Sequence, residues 1–350
     1  MIKLSSRLNK YFEPYLKRFI FDELSPSALS RMGIVDVLGD VPVPLQEEDM
    51  KNIAEGKGVT SARLAVNMAY VLGCVPDFKY AGDYLSFLKK LFKGGLYQGI
   101  IKAGEAEADS GALESACIYF RAALTIRPGE LSALYGYTMI CRELYLEAGK
   151  VEDEAPRFAE MSDEARNEYI GLFKAEAVEL LEQMTIEYPD FADPYYFLGY
   201  AYLNMGLYIK ADLTFKDYLS KGTDFEKKED ARSRREQLVV PVKIENGINA
   251  VTGGRFEEGI KILSEHAGTD AAKGWWPIHY YLGMAYLRCN MLSEGVSELR
   301  ECLKLNPSHM DSMEELVWAY KALGEPENEE KYKKKLELVR GYAKEDGLSL

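Results

Sequence analysis

The residue types that most often carry chemistry are sparse in this chain. Its three histidines are His266, His279 and His309. None stands four residues from another or within an H-E-x-x-H arrangement, the spacing that sets two imidazoles on one helical face to hold a metal. Cys74, Cys117, Cys141, Cys289 and Cys302 are odd in number, far apart and without a C-x-x-C pair, so they indicate neither a disulfide framework nor a zinc site. That usage suits a reducing cytoplasm. The stretch EGKGVTS (55–61) superficially resembles a phosphate-cradling loop, but the required glycine five positions before Gly56 is replaced by Lys51. No G-x-S-x-G element appears, the acidic pairs scatter over expected helix surfaces, and Cys141 and Cys302 fall at packing positions. The expectation is a protein without catalytic residues, metal or cofactor.

What remains as candidate chemistry is recognition by aromatic rings. YYFLGYAYLNMG (195–206) packs five rings among small residues, and HYYLGMAYLRCN (279–290) repeats the arrangement. The elements that position such rings follow from internal repetition. Leu198, Gly199, Tyr202, Ala211 and Phe215 share their spacing with Leu282, Gly283, Tyr286, Gly295, Leu299 and Pro307, and then with Leu316, Tyr320, Gly324 and Leu336. Earlier segments keep the plan: Gly104, Gly111, Ala116, Phe120, Ala123 and Pro128 over 100–128, and Gly247, Ala250, Gly254, Phe256, Gly259 and Leu263 over 242–268. Another unit opens near Leu131, and 63–92 reads as a degenerate first one, with Ala69, Ala81 and Leu85 in register.

These residues resemble the tetratricopeptide repeat family, whose unit of roughly 34 residues is a helix pair with Leu-Gly, Tyr, a small residue, an aromatic, Ala and Pro at fixed offsets. The resemblance implies an all-α protein, a right-handed α-solenoid of stacked helix hairpins, with six clear units and one weak one between 62 and 343. Residues 1–61 form a non-repeat N-terminal capping segment and 344–350 a short tail. A single helix pair cannot bury its apolar faces; neighbours must cover them.

Four segments depart from the period. Residues 3–21, KLSSRLNKYFEPYLKRFIF, read as an amphipathic helix broken at Pro14, with five basic residues against Glu13 alone. Phe12, Leu16, Phe19 and Ile20 are expected to cap the repeats; the alternative is attachment to an anionic membrane surface. The Val-, Gly- and Pro-rich 32–45 is expected to be extended, with a short strand at most. An acidic insertion spans 147–170, with Ser162 as a helix start, and 225–240 reads as an extra helix with a solvent face before Pro241 restarts the array.

Within the family the first helix of each pair lines the concave surface, so the resemblance implies a groove stripe of Tyr135, Met139, Tyr196, Tyr200, Ile244, Ile248, Tyr280, Met284, Glu314 and Trp318. Each pair stands four residues apart, on one helical face. Tyr, Trp and Met are the residue types favoured at interface hot spots. The stripe lacks the Lys, Arg and Asn set of a carboxylate clamp, although Arg142 and Arg288 stand near it. The whole chain has 350 residues, 47% hydrophobic and 28% charged, with a net charge of -13. That opposes nonspecific attraction to nucleic acid, and no apolar run is long enough to span a membrane. The expected function is a cytoplasmic, non-catalytic scaffold or adaptor that binds a peptide or helix of another protein. A membrane-surface assembly factor and a co-chaperone-like protein are the alternatives.

Overall fold

The computed structural model describes residues 4–91, 95–150 and 158–345. Residues 151–157 of the expected insertion, 346–350 of the expected tail and Lys3 of the basic stretch lie outside the described residues. The chain divides into two compact units, Met1–Pro189 and Asp190–Leu350. Apart from one small sheet, both are built from helices.

The first unit opens with α1 (Asn9–Phe12) and a 3-10 turn (Glu13–Arg18) that accommodates Pro14 at its start. There follow β1 (Ile20–Asp22), α2 (Pro26–Met32), α3 (Val35–Leu38), β2 (Val43–Leu45) and α4 (Glu47–Ala54). The strands pair antiparallel with Phe21 opposite Pro44; in a two-stranded sheet each strand keeps an open edge, which is where a residue without an N–H is tolerated. The helices α5 (Ser61–Cys74), α6 (Ala81–Leu91), α7 (Gly95–Asp109), α8 (Leu113–Ile126), α9 (Leu131–Ala148) and α10 (Asp163–Glu187) complete the unit. As its sequence indicates, Ser162 caps α10, its hydroxyl accepting the Ala165 N–H at 3.2 Å.

The pairs α7–α8 and α9–α10 are tight hairpins. The segment expected as a degenerate first hairpin behaves differently, for α5 lies chiefly along α8 and touches α6 only lightly. The backbones meet at Gly73, where a Cβ would stand 2.0 Å from the Ile118 carbonyl oxygen. Helix α5 is apolar nearly all round, with Leu64, Met68, Val71 and Leu72 fully buried, and so needs cover on more than one side. That cover comes from α8, from β2 and from the N-terminal arm.

The second unit consists of α11 (Asp193–Asn204), α12 (Tyr208–Lys221), α13 (Phe225–Thr252), α14 (Phe256–Ser264), a 3-10 turn (Asp270–Ala272), α15 (Trp276–Arg288), α16 (Leu292–Leu305), α17 (Met310–Leu323) and α18 (Pro326–Glu345). Its hairpins are α11–α12, α13–α14, α15–α16 and α17–α18. In the first, a Cβ on Gly199 would come within 2.7 Å of the Phe215 ring. The missing side chain is thus what lets the two helices close. Three of the turns inside these hairpins use a left-handed glycine, Gly206, Gly254 or Gly324, and the fourth uses Asn290 at φ 62°, the non-glycine type that best tolerates this region. The extra helix expected over 225–240 does not end at Pro241: α13 runs through it without a break.

Candidate functional site

In the first unit, Tyr135 and Met139 sit half-buried on α9. The basic arm packs on α5 and on the second helices α8 and α10. Leu8 and Phe12 are 0% exposed, and Phe12 meets Phe173 of α10 edge-on at 6.2 Å. Arg7 Nε stands 3.4 Å from Glu176 and its Nη2 reaches Glu179; Lys10 pairs with Glu168. Of the four residues expected to cap, Phe12 and Phe19 are buried and Leu16 is half-buried, whereas Ile20 is exposed.

Beneath the arm lies a polar network that sequence reasoning missed. Arg121 of α8 is 0% exposed. Its Nε donates to the Gly73 carbonyl at 2.8 Å, Nη1 to the Tyr137 hydroxyl at 3.1 Å and Nη2 to Asn9 Oδ1 at 2.5 Å. Tyr137 in turn donates to Glu176 at 3.0 Å. Burial opposes the charge of Arg121, but Tyr137 and Glu176 outweigh it and hold the guanidinium above its ordinary value. Burial also pushes the Glu176 carboxyl up, against the pull of Tyr137, Arg121 and Arg7. The network locks the arm to the repeats and has no open face for a ligand.

The second unit carries the longer part of the stripe. Tyr196 and Tyr200 of α11 are half-buried, and both hydroxyls donate to the same oxygen, Oδ2 of Asp230, at 2.8 Å from Tyr196. Arg234 donates through Nε to the Tyr200 hydroxyl at 3.0 Å and lies over its ring at 5.5 Å. Lys227 bonds both Asp193 oxygens, at 3.0 and 3.1 Å, and stands over the rings of Tyr196 and Phe197 at 5.6 and 5.4 Å. Burial and the bond to Asp230 push the Tyr196 phenol far above its usual value. These two rings therefore face the first half of α13.

The contacts Asp193–Lys227, Tyr196–Asp230 and Tyr200–Arg234 all join residues 34 positions apart. That is one repeat period, so the first half of α13 stands where the next first helix belongs. The period itself is the sequence signal for Lys227, Asp230 and Arg234, which stand one repeat after Asp193, Tyr196 and Tyr200.

Ile244 belongs to the core: it is 0% exposed and clusters with Val251, Leu263, Ile278 and Leu282. Ile248 and Met284 pack partly buried against the same cluster. Tyr280 is half-buried, its ring 4.8 Å from His309, and burial pushes its phenol up to about 12. Trp318 differs from all of these, being 49% exposed. It borders an open cavity of about 580 Å³ lined by Leu287, Arg288, Asn290, Glu314, Glu315 and Trp318 itself. Arg288 donates to both oxygens of Glu315, at 3.0 and 2.6 Å, and Arg340 pairs with Glu314. Arg288 is thus already engaged, rather than free for an acidic ligand.

Two of the three histidines have structural partners. His309 caps α17, its Nδ1 accepting the Ser312 N–H at 3.2 Å, and His279 lies 2.7 Å from Glu298. Among the described residues no cluster of His, Cys, Asp or Glu could hold a metal, and no helix is long and apolar enough to cross a membrane. A second cavity, of about 550 Å³, lies within the non-repeat segment between α2 and α4.

The tetratricopeptide repeat family model matches residues 192–220 and 277–309. Among solved structures the chain is similar to the TPR domain of P58(IPK), at 14% identity over 86% of this chain and 97% of that one, with a TM-score of 0.37. It is similar also to a tetratricopeptide repeat protein from Parabacteroides merdae, at 14% identity, 80% and 99% coverage and a TM-score of 0.32. PilW, a type IV pilus biogenesis factor, matches at 14% identity, 71% and 96% coverage and a TM-score of 0.32. No curated protein sequence matches this one.

Proposed function

We propose that this chain, a tetratricopeptide repeat protein, is a non-catalytic cytoplasmic scaffold or adaptor that holds a peptide or helical segment of another protein on the first-helix faces of its repeats. Its act is recognition without turnover. The observation that carries this reading is Trp318, a large ring half open to solvent at the edge of a cavity of about 580 Å³. Such a ring is the residue type most often found as an interface anchor.

Trp318 is the principal contact, with Tyr280 and Met284 of α15 in the same unit; Tyr135 and Met139 hold the equivalent positions on α9 of the first unit. Tyr196 and Tyr200 contribute less directly, since their hydroxyls are held by Asp230, and Ile244 contributes packing alone. The membrane-surface alternative is disfavoured by the arm, whose apolar residues Leu8 and Phe12 are inside the first unit and leave Ile20 as its exposed apolar side chain.

The test is Trp318→Ala. With a partner identified by pull-down and measured by calorimetry, the substitution is expected to weaken binding by about 2 kcal/mol or more, with the far-ultraviolet circular dichroism unchanged. Equal affinity in the variant removes Trp318 from the binding surface and the proposal with it.

A further inference from the structure

The rings of this protein repeatedly carry a cation from the chain itself. Arg18 lies over Tyr70, Arg127 over Tyr97, Lys210 over Tyr202, Lys221 over Tyr195 and Lys331 over Tyr332. Trp318 is the exception that matters. Indole is the strongest of the aromatic faces for a cation, the ring is 49% exposed, and among the described residues no cation stands over it.

The contact of α13 with α11 shows what such a cation would look like. There, Lys227 is held by Asp193 and, seven residues later, Arg234 covers Tyr200. The repeat register places Asp311 of α17 where Asp193 stands in α11, Glu314 where Tyr196 stands, and Trp318 where Tyr200 stands. Asp311 is exposed, and no side-chain partner holds it among the described residues. The face of α17 therefore repeats the acid and the ring of α11, while among the described residues neither Asp311 nor the Trp318 ring has the cation that completes the pattern there.

Resting on the scaffold reading above, we infer that the face of α17 formed by Asp311, Glu314, Glu315 and Trp318 binds a helical segment of a partner that presents two basic residues seven positions apart, the second an arginine. The first meets Asp311 as Lys227 meets Asp193. The second stacks on Trp318 as Arg234 stacks on Tyr200. Seven residues make two helical turns, so both project from one face. Where α13 offers Asp230 to two tyrosine hydroxyls, the α17 face offers the Glu314 carboxylate, so the partner residue three positions after its first base is a donor rather than an acid. The pairs Arg340–Glu314 and Arg288–Glu315 have their arginines 48% and 40% exposed. An exposed pair such as Arg340–Glu314 is worth little, and exchanging it for an incoming base costs little, while the bidentate Arg288–Glu315 pair stays. The net charge of -13 steers a basic segment toward the protein as well.

The probe is a synthetic peptide with the sequence of residues 225–240 in which Asp230 is replaced by Lys, titrated into full-length protein carrying Trp275→Phe and Trp276→Phe, so that Trp318 alone reports. Saturable quenching of Trp318 is expected. It should weaken about tenfold when citrulline replaces the second arginine, by loss of one cation–ring contact, and also when the peptide keeps Asp230. Trp318→Ala should abolish binding measured by anisotropy of a labelled peptide. Citrulline and arginine peptides of equal affinity, or no response of Trp318 to either, overturn the inference. A native partner that depends on Trp318 yet binds unchanged after its basic residues are neutralised also overturns it, while leaving the scaffold reading standing.

Discussion

Arg121 shows how much a single residue decides in the first unit. A guanidinium shut away from water is tolerated only when each donor finds an acceptor, and here the acceptors come from three directions: the Gly73 carbonyl on α5, the Tyr137 hydroxyl on α9 and the Asn9 amide oxygen in the arm. Removing the side chain leaves Glu176 buried with less compensation. Arg121→Met is expected to destabilise the protein by about 3–5 kcal/mol, and adding Glu176→Gln should return part of that loss; denaturant melts of the two variants check it. If both variants melt like the parent, the network contributes nothing to stability. Asn290 is a milder case at the same scale. A left-handed turn where the sister hairpins use glycine is met by the side chain that strains least there.

Among elements, α13 is the one whose two halves have different duties. Its first half buries only Ala231 and Leu238 deeply; it lies along α12, where Arg235 bonds Asp212, and it meets α11 through Lys227, Asp230 and Arg234. Asp230→Ala deprives two tyrosine hydroxyls of their acceptor. A loss of about 1.5–3 kcal/mol is expected, with hydrogen exchange accelerating over 225–238 and much less over 242–252. Uniform acceleration along the helix would show that the polar contacts do not anchor that half. Helix α17 offers a pH-dependent counterpart. His309 caps it as an acceptor, which needs a neutral ring, and burial holds its pKa below the ordinary 6.5. A group whose folded value is lowered in this way gives its full contribution above the unfolded value and loses it as pH falls through the folded one. Denaturation midpoints are expected to decline below about pH 6.5, and His309→Asn, which caps without titrating, should flatten that part of the curve.

For the whole molecule the arm is the telling feature, because it lies inside the first unit rather than beside it. Leu8 and Phe12 are as buried as any repeat residue, and Asn9 completes the shell of Arg121. Deleting residues 1–21 is therefore expected to cost the first unit its fixed packing, read as lost near-ultraviolet dichroism and protection from Met1–Pro189, while protection within Asp190–Leu350 stays. Unchanged protection in the shortened protein would make the arm a mere cover. Of the basic residues in this stretch, Arg7 and Lys10 face the acids of α10 and Arg18 lies over the Tyr70 ring, while Lys17 is exposed.

The stacked helix pairs were legible in the sequence, since Gly199 with Phe215 and Gly283 with Leu299 recur at fixed offsets and close packing tolerates few residue types at those positions. So was the start of α10 at Ser162. Only the tertiary structure decided which side chain of the stripe meets solvent. Ile244, Tyr196 and Trp318 obey the same register, yet one is sealed in the core, one is bonded to Asp230 and one is open. Register fixes the direction in which a side chain leaves its helix; what it meets depends on the neighbouring element, and neighbours such as α13 over α11, or α5 on α8, are set by packing between segments far apart in the chain.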